Sequence, residues 1–358
     1  MKRIIGLFLF LQFYVMVWSQ TMTIDFWNGS SQKYNMKDIE AVNFSQGDEE
    51  DEDLGVPPEL ICNVQTIVEH YHAIDGVVSD GALTQWDQSM AIYNDKIFVF
   101  LDSSAETADG GGYSFVVIDY NTKEIIFKGL MPSKRSHHNN AQFLDVFYDE
   151  NDAYPLLLMS RGDYPSADSN KFYIMRIVES EGVFTISIVK TITCTLPQAN
   201  YNGSWICDNS RGKLYLYTML LGDWRIREDE GNRFVIYEFD MFDPLDSSDL
   251  TLTEDDMTRM TKYDYWVLQG GTCSGGKLFL PIQNYTKING IIPSYRGHIV
   301  AIINPDTGKV ERIIPTDSME NEGIAIYNGK IYVSSKNGSG SMDTKTPVFR
   351  IQEFIMID

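Results

Sequence analysis

The stretch Ser89-Met90-Ala91-Ile92-Tyr93-Asn94-Asp95-Lys96-Ile97-Phe98-Val99 returns near the C-terminal end as Gly323-Ile324-Ala325-Ile326-Tyr327-Asn328-Gly329-Lys330-Ile331-Tyr332-Val333. Each copy has a short apolar strand, a turn carrying Asn with Asp or Gly, and a second apolar-aromatic strand, which is the pattern of a β-hairpin. Related forms run from Trp205 to Tyr217 and from Gly270 to Ile282, with Lys213-Leu214-Tyr215 and Lys277-Leu278-Phe279 in the place of Lys330-Ile331-Tyr332. A more divergent copy runs from Ala141 through Val146-Phe147-Tyr148 to Leu156-Leu157-Leu158-Met159, turning through Asp149 to Asp152.

A second kind of hairpin alternates with the first. Val116-Val117-Ile118-Asp119-Tyr120-Asn121-Thr122-Lys123-Glu124-Ile125-Ile126 matches Val300-Ala301-Ile302-Ile303-Asn304-Pro305-Asp306-Thr307-Gly308-Lys309-Val310. Phe172 to Val189 and Phe234 to Phe242 are comparable, and Val348 to Ile357 supplies the last outer strand or strands. Inner hairpins begin near residues 88, 141, 204, 269 and 322, at intervals that accommodate four strands and their loops. Radial repetition of such units predicts an all-β chain, a five-bladed β-propeller of four-stranded blades. Ile61 to Tyr71 is expected to complete the last blade, with a short helix as the alternative. A sixth blade would need an inner hairpin at Tyr263 to Val267.

The first twenty residues read as a secretory signal peptide: Lys2 and Arg3, an apolar run from Ile4 to Trp18, then Ser19, Gln20 and Thr21. The run is short for a membrane span, so the protein is expected to be exported after cleavage, to the periplasm or beyond. Residues 21–46 read as a small β-rich module, with alternation at Met22 to Phe26, a turn at Asn28-Gly29 and a return at Gln32 to Tyr34. Residues 47–58 contain six consecutive carboxylates from Asp48 to Asp53 before Gly55, Pro57 and Pro58, a solvated linker rather than a calcium tract. The propeller is assigned to 59–358.

The formal net charge of -21 disfavours nucleic acid and anionic membranes, and it suits a neutral or cationic ligand or one held through a metal ion. The four cysteines, Cys62, Cys194, Cys207 and Cys273, show no metal-ligand spacing. Cys194 could bridge Cys207; buried free thiols are the other reading. A monomer is expected.

Aligning the inner hairpins on their lysines puts Gln88, Gln269 and Glu322 at one register, just before the inner strand. Ser204 or Asn202 falls there in the third blade, and Asn140 or Gln142 in the second. A ring of amides with one carboxylate hydrogen-bonds sugar hydroxyls, or coordinates a hard cation such as calcium through oxygen. It equally serves to satisfy backbone groups and ordered water along the axis. Trp86, Gln88, Asn140, Asn202, Gln269 and Glu322 are therefore the candidate ligand-binding residues, with an aromatic face from Trp86. Asp87, Glu322 and His138 are the candidates for catalysis, as a carboxylate pair or an acid-base pair; His137, adjacent on the strand, would face the other way. Nucleophile elbows, phosphate loops and zinc motifs are absent from the sequence.

The repeated phrase resembles secreted bacterial five-bladed propellers and is similar to the propeller shared by phage receptor-binding and teichoic-acid-related proteins. There an inner-strand phrase Gln-Gly-hydrophobic-Ala-hydrophobic recurs, matched here by Asn321-Glu322-Gly323-Ile324-Ala325-Ile326; blade 1 departs with Ser89 in place of glycine. The resemblance covers roughly residues 75 to 358 and implies the propeller fold and polysaccharide binding; the expected function is an exported, non-catalytic propeller that binds a carbohydrate or cell-surface ligand at the inner mouth. A propeller hydrolase or lyase, and a protein-interaction scaffold, are the alternatives.

Overall fold

The inner strands are apolar on both faces because each lies between two neighbouring sheets, so successive side chains enter two different cores. Ile97, Val99 and Leu101 join one core while Phe98 and Phe100 join another. The computed structural model describes residues 21–25, 31–35, 57–70, 86–102, 114–132, 138–160, 171–196, 203–220, 234–246, 249–263, 270–282, 298–316, 320–336 and 349–356. The chain divides into two compact units, 1–53 and 54–358. In the first, β1 (Thr21–Asp25) pairs antiparallel with β2 (Ser31–Asn35), Thr21 opposite Asn35.

In the larger unit β3 (Cys62–His70) comes first in sequence and is used last. Blade 1 runs β4 (Trp86–Tyr93), β5 (Lys96–Asp102), β6 (Phe115–Asp119), β7 (Ile125–Gly129). Blade 2 runs β8 (Ala141–Phe143), β9 (Leu157–Ser160), β10 (Lys171–Ser180), β11 (Val183–Cys194). Blade 3 has β12 (Ser204–Asp208), β13 (Lys213–Met219) and β14 (Phe234–Asp240); its chain then leaves for β15 (Leu250–Leu252) before returning as β16 (Met257–Tyr263). Blade 4 is β17 (Thr272–Ser274), β18 (Lys277–Ile282), β19 (Ile299–Asn304), β20 (Lys309–Pro315). Blade 5 is β21 (Glu320–Tyr327), β22 (Lys330–Lys336), β23 (Phe349–Met356) and, antiparallel to β23, the early strand β3.

The protein is thus an all-β five-bladed propeller closed by its own N-terminal strand, and the helical alternative for Ile61 to Tyr71 is set aside. Tyr263 ends an outer strand of blade 3, so it opens no sixth blade. Closure is visible in the packing, because each of the five apolar cores draws from two adjacent blades. Phe98 and Phe100 of blade 1 meet Met159, Tyr173 and Met175 of blade 2; Phe172 stacks on Trp205 of blade 3 at 4.0 Å between centroids. The last core joins Tyr332, Phe349 and Ile351 of blade 5 to Met90, Ile97 and Val116 of blade 1. Burying one such side chain contributes about 1.5–3 kcal/mol, so the ring is held chiefly by contacts between blades.

The hairpin turns explain the repeated phrase. Asn94 and Asp95 have φ of 46° and 54°, and Asn328 and Gly329 have 49° and 72°, the left-handed pair that a tight hairpin needs and Asn, Asp and Gly supply.

Two blade edges are covered by strands from the following blade. β15 pairs in parallel with β11, Ile192 opposite Leu250, and Thr195 N donates to Leu252 O at 2.8 Å. Just before β3, Glu59 bridges Ile313 of β20 in parallel, with Leu60 N donating to Ile313 O at 2.8 Å and Ile313 N to Pro58 O at 3.3 Å. Proline accepts there without needing to donate, which suits it to an edge.

All four cysteines are free. Cys194 and Cys207 share the core between blades 2 and 3 but do not bridge. Burial pushes their thiols up, to about 11 and about 12, which leaves them protonated and inert. Among the described residues no helix is long and apolar enough to cross a membrane.

Candidate functional site

The residue before the inner strand is placed by a backbone irregularity. In blade 1 Asp87 faces Leu101 and Ser89 faces Phe100, so Gln88 is the extra residue of a bulge. In blade 5 Asn321 faces Ser335 and Gly323 faces Ser334, which makes Glu322 the extra residue at the same point. A bulge re-aims the inserted side chain out of the strand's alternation. Gln88 and Glu322 are both fully buried, at 0% exposure.

Counting back from the turn-closing pairs Tyr93–Lys96, Asp208–Lys213, Ser274–Lys277 and Tyr327–Lys330 aligns Ser89, Ser204, Gly270 and Gly323. Ser204 therefore matches Ser89, one place later than the sequence alignment offered, and Gly203 takes the place of Gln88. β12 has no bulge. Asn202, Gln269 and His137 lie outside the described residues. Trp86 and Asp87 are placed as backbone at the start of β4, opposite Asp102 and Leu101.

Gly270 is where the blades converge. Its N–H donates to Asn139 O of blade 2 at 2.8 Å, and its carbonyl accepts the Tyr217 hydroxyl of blade 3. A Cβ on Gly270 would fall 2.3 Å from Glu322 O of blade 5, and the φ of 72° also requires glycine. Blade 1 joins through Gly323, whose Cβ would lie 2.6 Å from Met90 N. Burial, reinforced by the negative charge of Glu322, raises the Tyr217 phenol above its ordinary range, so it stays a hydrogen-bond donor.

Several predicted residues hold blades together. Asn140 Nδ2 donates to Trp205 O at 2.8 Å, and Trp205 N donates to Ser160 Oγ at 2.8 Å. Gln142 makes a two-way amide pairing with Cys207, giving from Nε2 at 2.6 Å and accepting at Oε1 at 2.9 Å. Asn321 bonds Thr316 Oγ1 and accepts from Ser335. His138 is buried beside the Phe100 ring, with centroids 6.5 Å apart.

What these clips leave over is hydrogen-bonding capacity. Both amide atoms of Gln88, the hydroxyls of Ser89 and Ser334, and Asn140 Oδ1 are buried with no partner among the described residues. Each such group costs about 1–3 kcal/mol unless something meets it. The cluster offers amides, hydroxyls and one carboxylate, Glu322. Among the described residues no three His, Cys, Asp or Glu side chains converge as metal ligands. Sequence alignment pointed to Gln88 and Glu322; it missed Tyr217 of β13 and Ser334 of β22, which belong to second strands of their blades.

No family model and no curated protein matches the chain. Solved structures do. The tail fiber of Staphylococcus aureus phage P68 is similar with a TM-score of 0.46 at 13% identity, over 83% of this chain and 53% of that one. A glutaminyl cyclase of Myxococcus xanthus is similar with a TM-score of 0.43 at 10% identity, over 84% of this chain and all of that one. An α-L-arabinanase of Penicillium chrysogenum complexed with arabinobiose gives 0.39 at 11% identity, over 84% and 99%. The fold itself rests on the strand pairing described above.

Proposed function

We propose that the chain is an exported, non-catalytic propeller that binds a carbohydrate or another hydroxyl-rich cell-surface ligand at the mouth where the inner strands begin. The supporting observation is the Gln88 side chain, fully buried at a bulge with neither amide atom partnered among the described residues. Ser89, Ser334 and Asn140 Oδ1 add donors and acceptors of the kind that sugar hydroxyls, or waters relaying to them, satisfy. Binding is favoured over hydrolysis because Glu322 is the one carboxylate among the described residues of the cluster, whereas glycoside cleavage uses two carboxyl groups about 5–9.5 Å apart. Trp86, Asn202 and Gln269 are proposed as further contacts by their place before the inner strands.

A glycan array probed with the mature protein, once with calcium and once with chelator, tests the proposal. Retention of a defined glycan set, lost in Gln88→Leu while that variant melts no lower than the parent, supports it. No retained glycan in either condition overturns it. Turnover of a glycan that disappears in Glu322→Gln at unchanged melting temperature would replace it with a hydrolase or lyase reading.

A further inference from the structure

A second feature lies at the other end of the inner strands, where the hairpin turns of blades 1 and 2 face each other. An open depression of about 620 Å³ lies there, lined by Tyr93 and Asn94 of blade 1 and by Phe147, Glu150, Asp152 and Ala153 of blade 2. We propose that it is a binding site for a small organic cation carrying a guanidinium or ammonium group, independent of the axial cluster.

Two of the lining residues are aromatic: Tyr93 and Phe147 meet edge to face, 6.3 Å between centroids at 71°, and share the lining with Asn94, Glu150 and Asp152. Tyr93 is held from beneath by Phe143 and by the buried Tyr154. The turn that carries Asn94 is fixed in the left-handed conformation at both central residues. A wall set in place before binding costs little to order.

The charge is negative. Asp145, Asp149, Glu150 and Asp152 fall within eight residues. Asp152 is already used: Arg176 Nη2 and Nε contact its two oxygens at 2.6 and 2.9 Å. Glu150 is exposed and makes no ion pair among the described residues. A cation in the depression therefore finds a carboxylate that is not committed elsewhere, in a protein whose net charge of -21 draws cations towards it.

The molecule also displays this chemistry on itself. The Arg176 guanidinium sits over the Tyr148 ring, 4.6 Å from its centroid, while bonded to Asp152. An aromatic face combined with a carboxylate is the pairing that attracts guanidinium and ammonium groups. Tyr93 or Phe147 lines the same depression as Glu150, and among the described residues no Lys or Arg pairs with Glu150. A neutral molecule of the same shape would gain the ring contact and lose the charge.

Nα-acetylargininamide, with Nα-acetylcitrullinamide as its uncharged counterpart, is the probe for isothermal titration calorimetry on the whole mature chain at low salt. Saturable binding of the arginine compound is expected, weakened about tenfold in Glu150→Gln and weakened by added salt, with the citrulline compound bound far less tightly. Glu150 is exposed, so Glu150→Gln folds as the parent does. Tyr93→Leu, checked for an unchanged circular dichroism spectrum, should weaken binding as well. No saturation, equal affinity for the two probes, or full affinity in Glu150→Gln would each overturn the site. None of these readouts involves a glycan, so the outcome is separable from that of the axial proposal.

Discussion

Blades 1 and 5 carry the same inner-strand phrase and the same bulge, yet one presents Gln88 and the other Glu322. The two side chains are nearly equal in shape and differ in charge. Their flanking residues differ too, since Ser89 in blade 1 stands where blade 5 has Gly323, pressed against Met90. Blade 3 offers the contrast, with an unbulged β12 and Gly203 at the equivalent place. Among the described pairings, then, the bulge belongs to blades 1 and 5 and is absent from blade 3. It buries an inserted side chain, while the charge of that side chain is set separately. A closed ring of five identical amides is not what this protein builds.

The largest expected effect comes from the point that both blades depend on. Gly270→Ala combines a left-handed φ with a Cβ 2.3 Å from Glu322 O, and should destabilise by about 3–5 kcal/mol in denaturant titration. A loss below 1 kcal/mol would mean that the blades do not converge there.

Making the two blades alike in charge is next. Gln88→Glu places a second carboxyl at the buried axis and should cost about 3 kcal/mol at pH 8. Burial and Glu322 would raise that new carboxyl's folded-state pKa above its unfolded value. The penalty is then present above the folded pKa and fades as the pH falls through it, so melting temperatures measured from pH 8 to pH 5 should converge on the parent. Parallel curves would break the comparison.

Gly323→Ser makes blade 5 copy blade 1 in its other difference. With its Cβ 2.6 Å from Met90 N but no left-handed φ, it should lose about 1–3 kcal/mol, less than Gly270→Ala. Equal losses in the two variants would show that conformation, not space, is immaterial at Gly270.

The smallest effect lies on the rim and serves as a control. Asp119 accepts from Thr122 N and from Lys96, which lowers its carboxyl to about 2. A depressed folded pKa stabilises above the unfolded value and is lost as the pH falls from about 4 to about 2. Asp119→Asn should flatten the acid limb of the stability curve in that window and change little at neutral pH, whatever happens at the axis.

The hairpins were legible because apolar runs, left-handed turn residues and aligned lysines are local signals, and Lys96, Lys213, Lys277 and Lys330 each open a second strand. Closure by Cys62–His70 was legible as an apolar segment without a partner of its own. The bulges were not, since one inserted residue leaves the hydrophobic pattern almost unchanged; only pairing with Leu101 or Ser335 exposes the skip. Ser204 aligned one place early because four residues separate Asp208 from Lys213, where two separate Tyr93 from Lys96. The axial cluster was half legible: Gln88 and Glu322 precede a repeated phrase, whereas Tyr217 belongs to a strand whose sequence announces only burial. The edge pairings of Leu250–Leu252 and Glu59 left no mark, because three residues are too few to carry a period.

Those edge pairings decide how the ring could come apart. Tension on the chain before Pro57 reaches the propeller through Pro58 to Leu60, so it is shared with Ile313 of blade 4 before β3 bears it. Likewise the outer strand of blade 3 cannot swing free while Leu250–Leu252 stays on blade 2. At both seams a blade cannot leave alone. Opening there engages two blades at once, which pushes the barrier to breakage well above what one four-stranded sheet would set.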